Sequence, residues 1–258
     1  MQDQGLRADR INALRTADTR LQRADADYAT RAGSSNAHFL LARPRPDITG
    51  KEYAELTLTP GSEISAVGVY AWIHLSALQK ATRLATEDLP PAERQALARA
   101  MLADEAFAVH FLEDAYAAGH VAGTWGDVSQ RKGTHDYYNE AGLEAFTWER
   151  SGQSVVLMGD AHLRPEDAQI TAAAVRASLE QLIDHSSGRD IPSRIPHAPA
   201  APSAPDPFDV CRSTLMPPRE PGQRATPEAF VQAVEVLRTT PVPGLSPGLG
   251  AMPRFRSE

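Results

Sequence analysis

The segment His110-Phe-Leu-Glu-Asp114-Ala-Tyr-Ala-Ala-Gly-His120 is followed, after 14 residues, by His135-Asp-Tyr-Tyr-Asn139. Three of the chain's eight histidines fall in this stretch. Imidazole and carboxylate are ligands that zinc takes in catalytic centres. Residues four apart share one helix face, so His110 and Asp114 can grip the same ion. On a continuous helix His120 lies almost three turns beyond His110 and can hold a second ion nearby. The chemistry this spacing suggests is hydrolysis at a polynuclear metal site. The competing reading makes these histidines core residues. Ala103, Phe107, His110, Asp114, Ala117 and Val121 recur at helical spacing and form a largely apolar stripe. A carboxylate buried on such a stripe is costly unless it is paired or metal-bound, which favours metal. Glu113 and Asp104 lie off the stripe and read as solvated.

Further ligands are sought upstream. His74 sits in Ser65-Ala-Val-Gly-Val-Tyr-Ala-Trp-Ile-His-Leu, a buried helix with Val67, Tyr70 and Leu78 on its face. Glu63 precedes His74 by eleven residues, close to three turns, so the two align if that helix starts early enough. Otherwise Glu63 is a first-turn acid favoured by the helix dipole, and His74 is a core residue. His38 lies in Ser34-Ser-Asn-Ala-His-Phe-Leu, a polar loop, where it is either a ligand or a surface histidine. Tyr137, Tyr138 and Trp125 flank the motif; they either stack on a ligand or pack loop against helix. His162 could line an entrance; His185 and His197 read as non-functional.

The pattern H-x3-D-x5-H followed by H-x3-N resembles the zinc-dependent phospholipase C and P1/S1 nuclease superfamily, whose motif ends in Asp or Glu. The match is specific over 110–139 and looser over about 60–185. The resemblance implies an all-α fold, a cluster of two or three Zn2+ ions, and hydrolysis of phosphodiester bonds in phospholipids or single-stranded nucleic acid. It implies that His110 and Asp114 bind one zinc, that Asp114 bridges to another, and that His120, His135 and residue 139 complete a further site. It also implies a periplasmic or secreted location. Two departures stand out. Asn139 replaces the motif's carboxylate, which weakens that site. The chain begins Met1-Gln2-Asp3 and has no Trp before Trp72, whereas the family uses an N-terminal Trp as a zinc ligand.

The elements that must position these residues read as helices. An amphipathic helix is expected over 3–31, then a Gly/Pro/Ser-rich loop over 32–61 and a helix over about 62–87. Leu89-Pro-Pro breaks it, and Pro91 suits the first turn of the next helix, which carries the motif to about 121. Gly119 and Gly123 suit that helix's end. A loop is expected over 122–133, a helix over 134–146, a small hairpin over 147–159, and a helix from Pro165 to about Ser187-Gly188. These elements form a helical domain over 1–188. The tail, 189–258, is Pro-rich and reads as largely disordered, with a short helix at about 226–239 whose stripe of Phe230, Ala233, Val234 and Leu237 could dock back.

Composition narrows the function further. The net charge of −7 argues against stable binding of duplex DNA through a broad basic surface. The single cysteine, Cys211, excludes an internal disulfide. No apolar run approaches the roughly 18 residues of a membrane span. The polar N-terminus lacks a signal-peptide core, which suggests a cytoplasmic chain or a start that has been trimmed or mis-assigned. No Gly-x-Ser-x-Gly elbow or phosphate-binding Gly loop is present.

Overall fold

The computed structural model describes Thr16, Arg20, 36–122, 135–149, 154–159, 162–188, Val210, 213–217 and 234–244. The helix expected over 3–31 lies outside the described residues apart from Thr16 and Arg20, both helical. So do Trp125, Cys211, His197, most of the loop expected over 122–133, and the first part of the helix expected at 226–239.

From Asn36 onward the described residues are mostly helical, with a single two-stranded sheet. A 3-10 turn, Asn36–His38, comes first. Helix α1, Gly50–Thr57, follows within the segment expected to be loop. It starts on a capping box, in which the Thr49 side chain accepts from the Glu52 amide and the Glu52 carboxylate accepts from the Thr49 amide. Helix α2 is Ala66–Thr86, with the Ser65 hydroxyl accepting the Gly68 amide at its N-cap; such a cap is worth about 1 kcal/mol. Helix α3 is Pro91–Asp114, with Pro in its first turn as expected. Helices α4, Ala118–Ala122, and α5, His135–Ala141, are short. Strands β1, Leu143–Ala145, and β2, Val155–Leu157, form the antiparallel pair, and α6 is Pro165–Ser186.

Three boundaries differ from the sequence expectations, each for a local reason. The helix from His135 stops at Ala141 because Gly142 adopts φ +83°, where L side chains are strained, and the hairpin's first strand begins there. Helix α2 begins at Ala66, so Glu63 precedes it and the proposed Glu63–His74 alignment on one helix does not form. The motif helix is not continuous. It ends at Asp114, turns over 115–117, and resumes as α4. No proline causes this break; the Ala118 amide bonds to the Met158 carbonyl and the Gly119 amide to the Asn139 side chain, which diverts both from the helix.

The core forms where α2 packs along α3 and α6. Helix α3 turns Met101, Glu105, Ala108, Phe111 and Leu112 inward. This corrects the stripe expected from the sequence, because Ala103, Phe107 and His110 are solvent-exposed. The core does not stop at residue 188: Val210, Met216, Val236 and Leu237 are buried in it. The Met216 amide bonds to the Ser62 carbonyl, and the Trp148 amide to the Thr240 carbonyl. No described helix is long and apolar enough to cross a membrane.

Candidate metal centre

The turn at 115–117 folds His120 back toward the end of α3. On a continuous helix His120 would lie roughly 15 Å along the axis from His110. Instead its Nε2 is 3.8 Å from Asp114 Oδ1. The other carboxylate oxygen, Oδ2, is 2.7 Å from His38 Nδ1 and 3.6 Å from His110 Nε2. The ligand atoms of His38, His110 and Asp114 lie within 4.8 Å of one another, a group that can hold a metal ion. The rings of His38 and His110 meet edge-on, 5.2 Å apart, and His38 lies 6.2 Å from the His120 ring.

His120 and His135 make a second pair, with their Nε2 atoms 3.2 Å apart. His135 reaches this position from the start of α5. Its Nδ1 bonds to Asp136 Oδ1 at 2.9 Å, which turns Nε2 toward His120; to ligate a metal, that Nε2 would have to give up the hydrogen bond it accepts from Asn139. The Asn139 nitrogen faces that same Nε2 at 3.1 Å.

The spacing fits metal. Two nitrogens on one tetrahedral zinc, each about 2.05 Å from it, are about 3.3 Å apart. The separations of 3.2, 3.6 and 3.8 Å lie near that edge length. The 2.7 Å His38–Asp114 contact is a hydrogen bond, and those two atoms must part by several tenths of an ångström to share an ion. Asp114 Oδ2 faces His38 and His110 and Oδ1 faces His120, so one carboxylate lies between the first pair and the nearer histidine of the second.

Access is uneven. The His110 side chain is 53% exposed, whereas Asp114 is 14% exposed. Phe39 stands 5.0 Å from the His120 ring and Phe111 5.3 Å from the His38 ring, walling the inner side. On the outer side, partial burial raises the Glu113 carboxyl above the ordinary carboxylate range; nearby His110 opposes this and Asp114 adds to it.

Three of the residues expected as ligands have other roles. His74 is fully buried, but between helices: Nδ1 bonds to Glu105 Oε2 at 2.7 Å and Nε2 to Gln181 Oε1 at 2.9 Å. Both ring nitrogens are committed to protein partners, so neither points a lone pair at a metal. Glu63 accepts a 2.6 Å hydrogen bond from the Asn36 amide group. It therefore holds the start of the turn that carries His38. Asn139 is buried, and its Oδ1 accepts from the Gly119 amide at 2.7 Å. A backbone N–H can only donate, so this atom is the amide oxygen, and the nitrogen is what faces His135. Asn139 thus fastens α4 to α5 instead of offering its oxygen to the centre. Tyr138 is wholly buried in the core, which agrees with the packing reading.

Gly119, which suits a helix end by its residue type, and Gly159 instead mark places where the backbone comes close to its neighbours. Gly119 sits inside α4, and a Cβ there would lie 2.5 Å from the His135 carbonyl oxygen. A Cβ on Gly159 would lie 1.8 Å from Asn139 Oδ1. Both glycines exist for close approach. Gly119→Ala should push α5 away, costing about 1–3 kcal/mol in urea unfolding and weakening metal uptake. Unchanged stability would show that α5 can yield.

No family model, curated protein or solved structure matches this chain.

Proposed function

We propose that the protein is a metal-dependent phosphoesterase that hydrolyses phosphodiester bonds of phospholipids or single-stranded nucleic acid. The observation that carries this reading is the convergence of His38, His110 and His120 on the two oxygens of Asp114, with His135 set against His120. A donor set of imidazoles and one carboxylate suits zinc. His38, His110 and Asp114 would hold one ion, and His120 and His135 a second that shares Asp114. Such ions supply Lewis acidity and lower the pKa of bound water. Asp136 fixes the tautomer of His135, and the exposed edge at His110 leaves a face open to a phosphate group. Phe39 and Phe111 keep water from the inner side. The resemblance of the motif spacing to the phospholipase C and P1/S1 nucleases supports the same reaction class.

A second reading, a non-catalytic metal-binding protein on the same scaffold, is favoured by one observation. The Asn139 oxygen is taken by Gly119, so the residue where the resembled enzymes carry a carboxylate adds no negative ligand.

The test is hydrolysis of bis(p-nitrophenyl) phosphate by zinc-loaded protein, then of phosphatidylcholine vesicles and a single-stranded oligonucleotide. Turnover that a chelator abolishes and zinc restores is expected. Zinc uptake without turnover on any of the three would replace this reading with the second.

A further inference from the structure

The C-terminal segment reaches the centre at two places. Its 213–217 stretch pairs with the loop before α2: the Gly61 amide bonds to the Met216 carbonyl and the Ile64 amide to the Thr214 carbonyl. Glu63, between them, holds Asn36 beside His38. The second place is closer to the ligands. Tyr116 is the middle residue of the turn that separates Asp114 from His120, and it is 1% exposed. Its hydroxyl hydrogen-bonds to Thr239 Oγ1 at 3.0 Å. Thr239 is itself pinned. The Glu149 amide bonds to the Arg238 carbonyl, the Trp148 amide to the Thr240 carbonyl, and the Val242 amide to the Phe146 carbonyl. The Arg43 amide bonds to the Gly244 carbonyl.

The turn needs such a holder. Tyr116 and Ala117 donate to the carbonyls three residues back, Glu113 and Asp114, a tighter pattern than an α-helix. Ala115, Tyr116 and Ala117 contain neither Pro nor Gly, and Ala is the strongest helix former, so local preference is to continue the helix. A continued helix would carry His120 away from Asp114. Tertiary bonds must therefore impose the turn, and Tyr116 is the side chain buried at its centre.

We infer that residues 234–244 are a built-in strap whose Thr239 hydroxyl, bonded to Tyr116, holds the α3–α4 turn and so sets His120, which meets His135, beside Asp114. Tyr116 and Thr239 are positioning residues; neither touches the candidate ligand atoms. The inference rests on the metal reading for its consequence, but the placement of His120 can be read without metal.

Cobalt is the probe. The full-length protein, its Thr239→Val, Thr239→Ser and Tyr116→Phe variants are titrated with Co2+, and the visible d–d bands are recorded. The wild type should fill two sites. Thr239→Val should leave the first nearly unchanged and weaken the second about tenfold, the lower end of what loss of an orienting partner costs a metal site. Thr239→Ser, which keeps the hydroxyl, should behave as wild type. If Thr239→Val does not fold, Tyr116→Phe removes the same bond from the other side and should give the same loss. Two-site binding that is identical in wild type, Thr239→Val and Tyr116→Phe would overturn the strap. If the wild type takes up no cobalt, the metal reading fails instead. The imidazole 15N resonances of the metal-free protein then decide the strap: His120 and His135 should shift in Thr239→Val while His38 does not, and unchanged resonances for all three overturn it.

Discussion

Asp114→Asn should strip the protein of most of its metal and reduce phosphodiester hydrolysis about 10³-fold or more, since metal-based charge stabilisation is worth several kcal/mol. Asp114 is the one carboxylate among the clustered ligands, and its oxygens serve different partners: Oδ2 faces His38 and His110, and Oδ1 faces His120. The substitution removes the negative charge that would offset the two divalent ions of the proposed centre. It also turns one of the two acceptors into an NH2 group, which donates and cannot ligate. Either orientation of the amide therefore disables one half of the centre. Metal content per chain, measured alongside activity, checks this. Unchanged metal content in Asp114→Asn would remove Asp114 from the centre and dissolve its bridging role.

The largest stability effect is expected on the opposite face of α3. Glu105→Ala should lower unfolding free energy by about 3–5 kcal/mol, as loss of one partner from a buried ion pair does. Glu105 and His74 are both almost completely inaccessible, and the carboxylate also accepts a 2.5 Å hydrogen bond from the Ser178 hydroxyl, which in turn meets Tyr70 at 2.9 Å. This network ties α2, α3 and α6 together. Its stacked rings, Tyr70 and His74 5.1 Å apart, complete the packing. Removing the carboxylate takes the closest partner from both His74 Nδ1 and Ser178, leaving them a longer 3.3 Å contact with each other and the Ser178–Tyr70 bond. Urea unfolding at constant m-value measures the loss. A change below about 1 kcal/mol would mean that water or a neighbour replaces the carboxylate. Replacing Glu105, His74 and Ser178 with apolar residues of similar volume, together with Tyr70→Phe, should recover much of the loss, because the buried polar groups of the network are then removed together and the part-exposed Gln181 can turn to water.

The helices that rest on local signals were legible in the sequence. Pro91 and Pro165 mark helix starts, Gly188 with φ +71° follows the end of α6, and a hairpin was legible only in its second strand, 155–157, since the first, 143–145, lies where the sequence suggests helix. Helix α1 was overlooked although Thr49-x-x-Glu52 is a capping box, because Gly and Pro crowd the segment around it. Much of the candidate site was legible too. Four-residue spacing put His110 and Asp114 on one face, and His38, His120 and His135 were singled out by type. The break after Asp114 was not legible. It is imposed by Met158, Asn139 and Tyr116 acting across the fold, and alanines at 115, 117 and 118 give no warning of it. His74 misled for a related reason. A buried histidine on an apolar helix is equally consistent with a ligand and with a partner for a distant carboxylate, and only the position of Glu105 on another helix separates the two. In the tail, the short helix expected to dock back is seen in part, with 234–237 helical and Leu237 buried, whereas the docking of Met216 within the Pro-rich stretch had no periodic signal to announce it.

The central claim is that His38, His110, Asp114, His120 and His135 hold metal. Metal content per chain, by mass spectrometry on protein purified without a metal-affinity tag, tests it most directly. Two zinc ions per chain are expected, both removed by a chelator and both recovered on adding zinc back. A chain that carries no stoichiometric metal, even after zinc is supplied, would contradict the account and leave the four histidines and Asp114 as a hydrogen-bonded cluster.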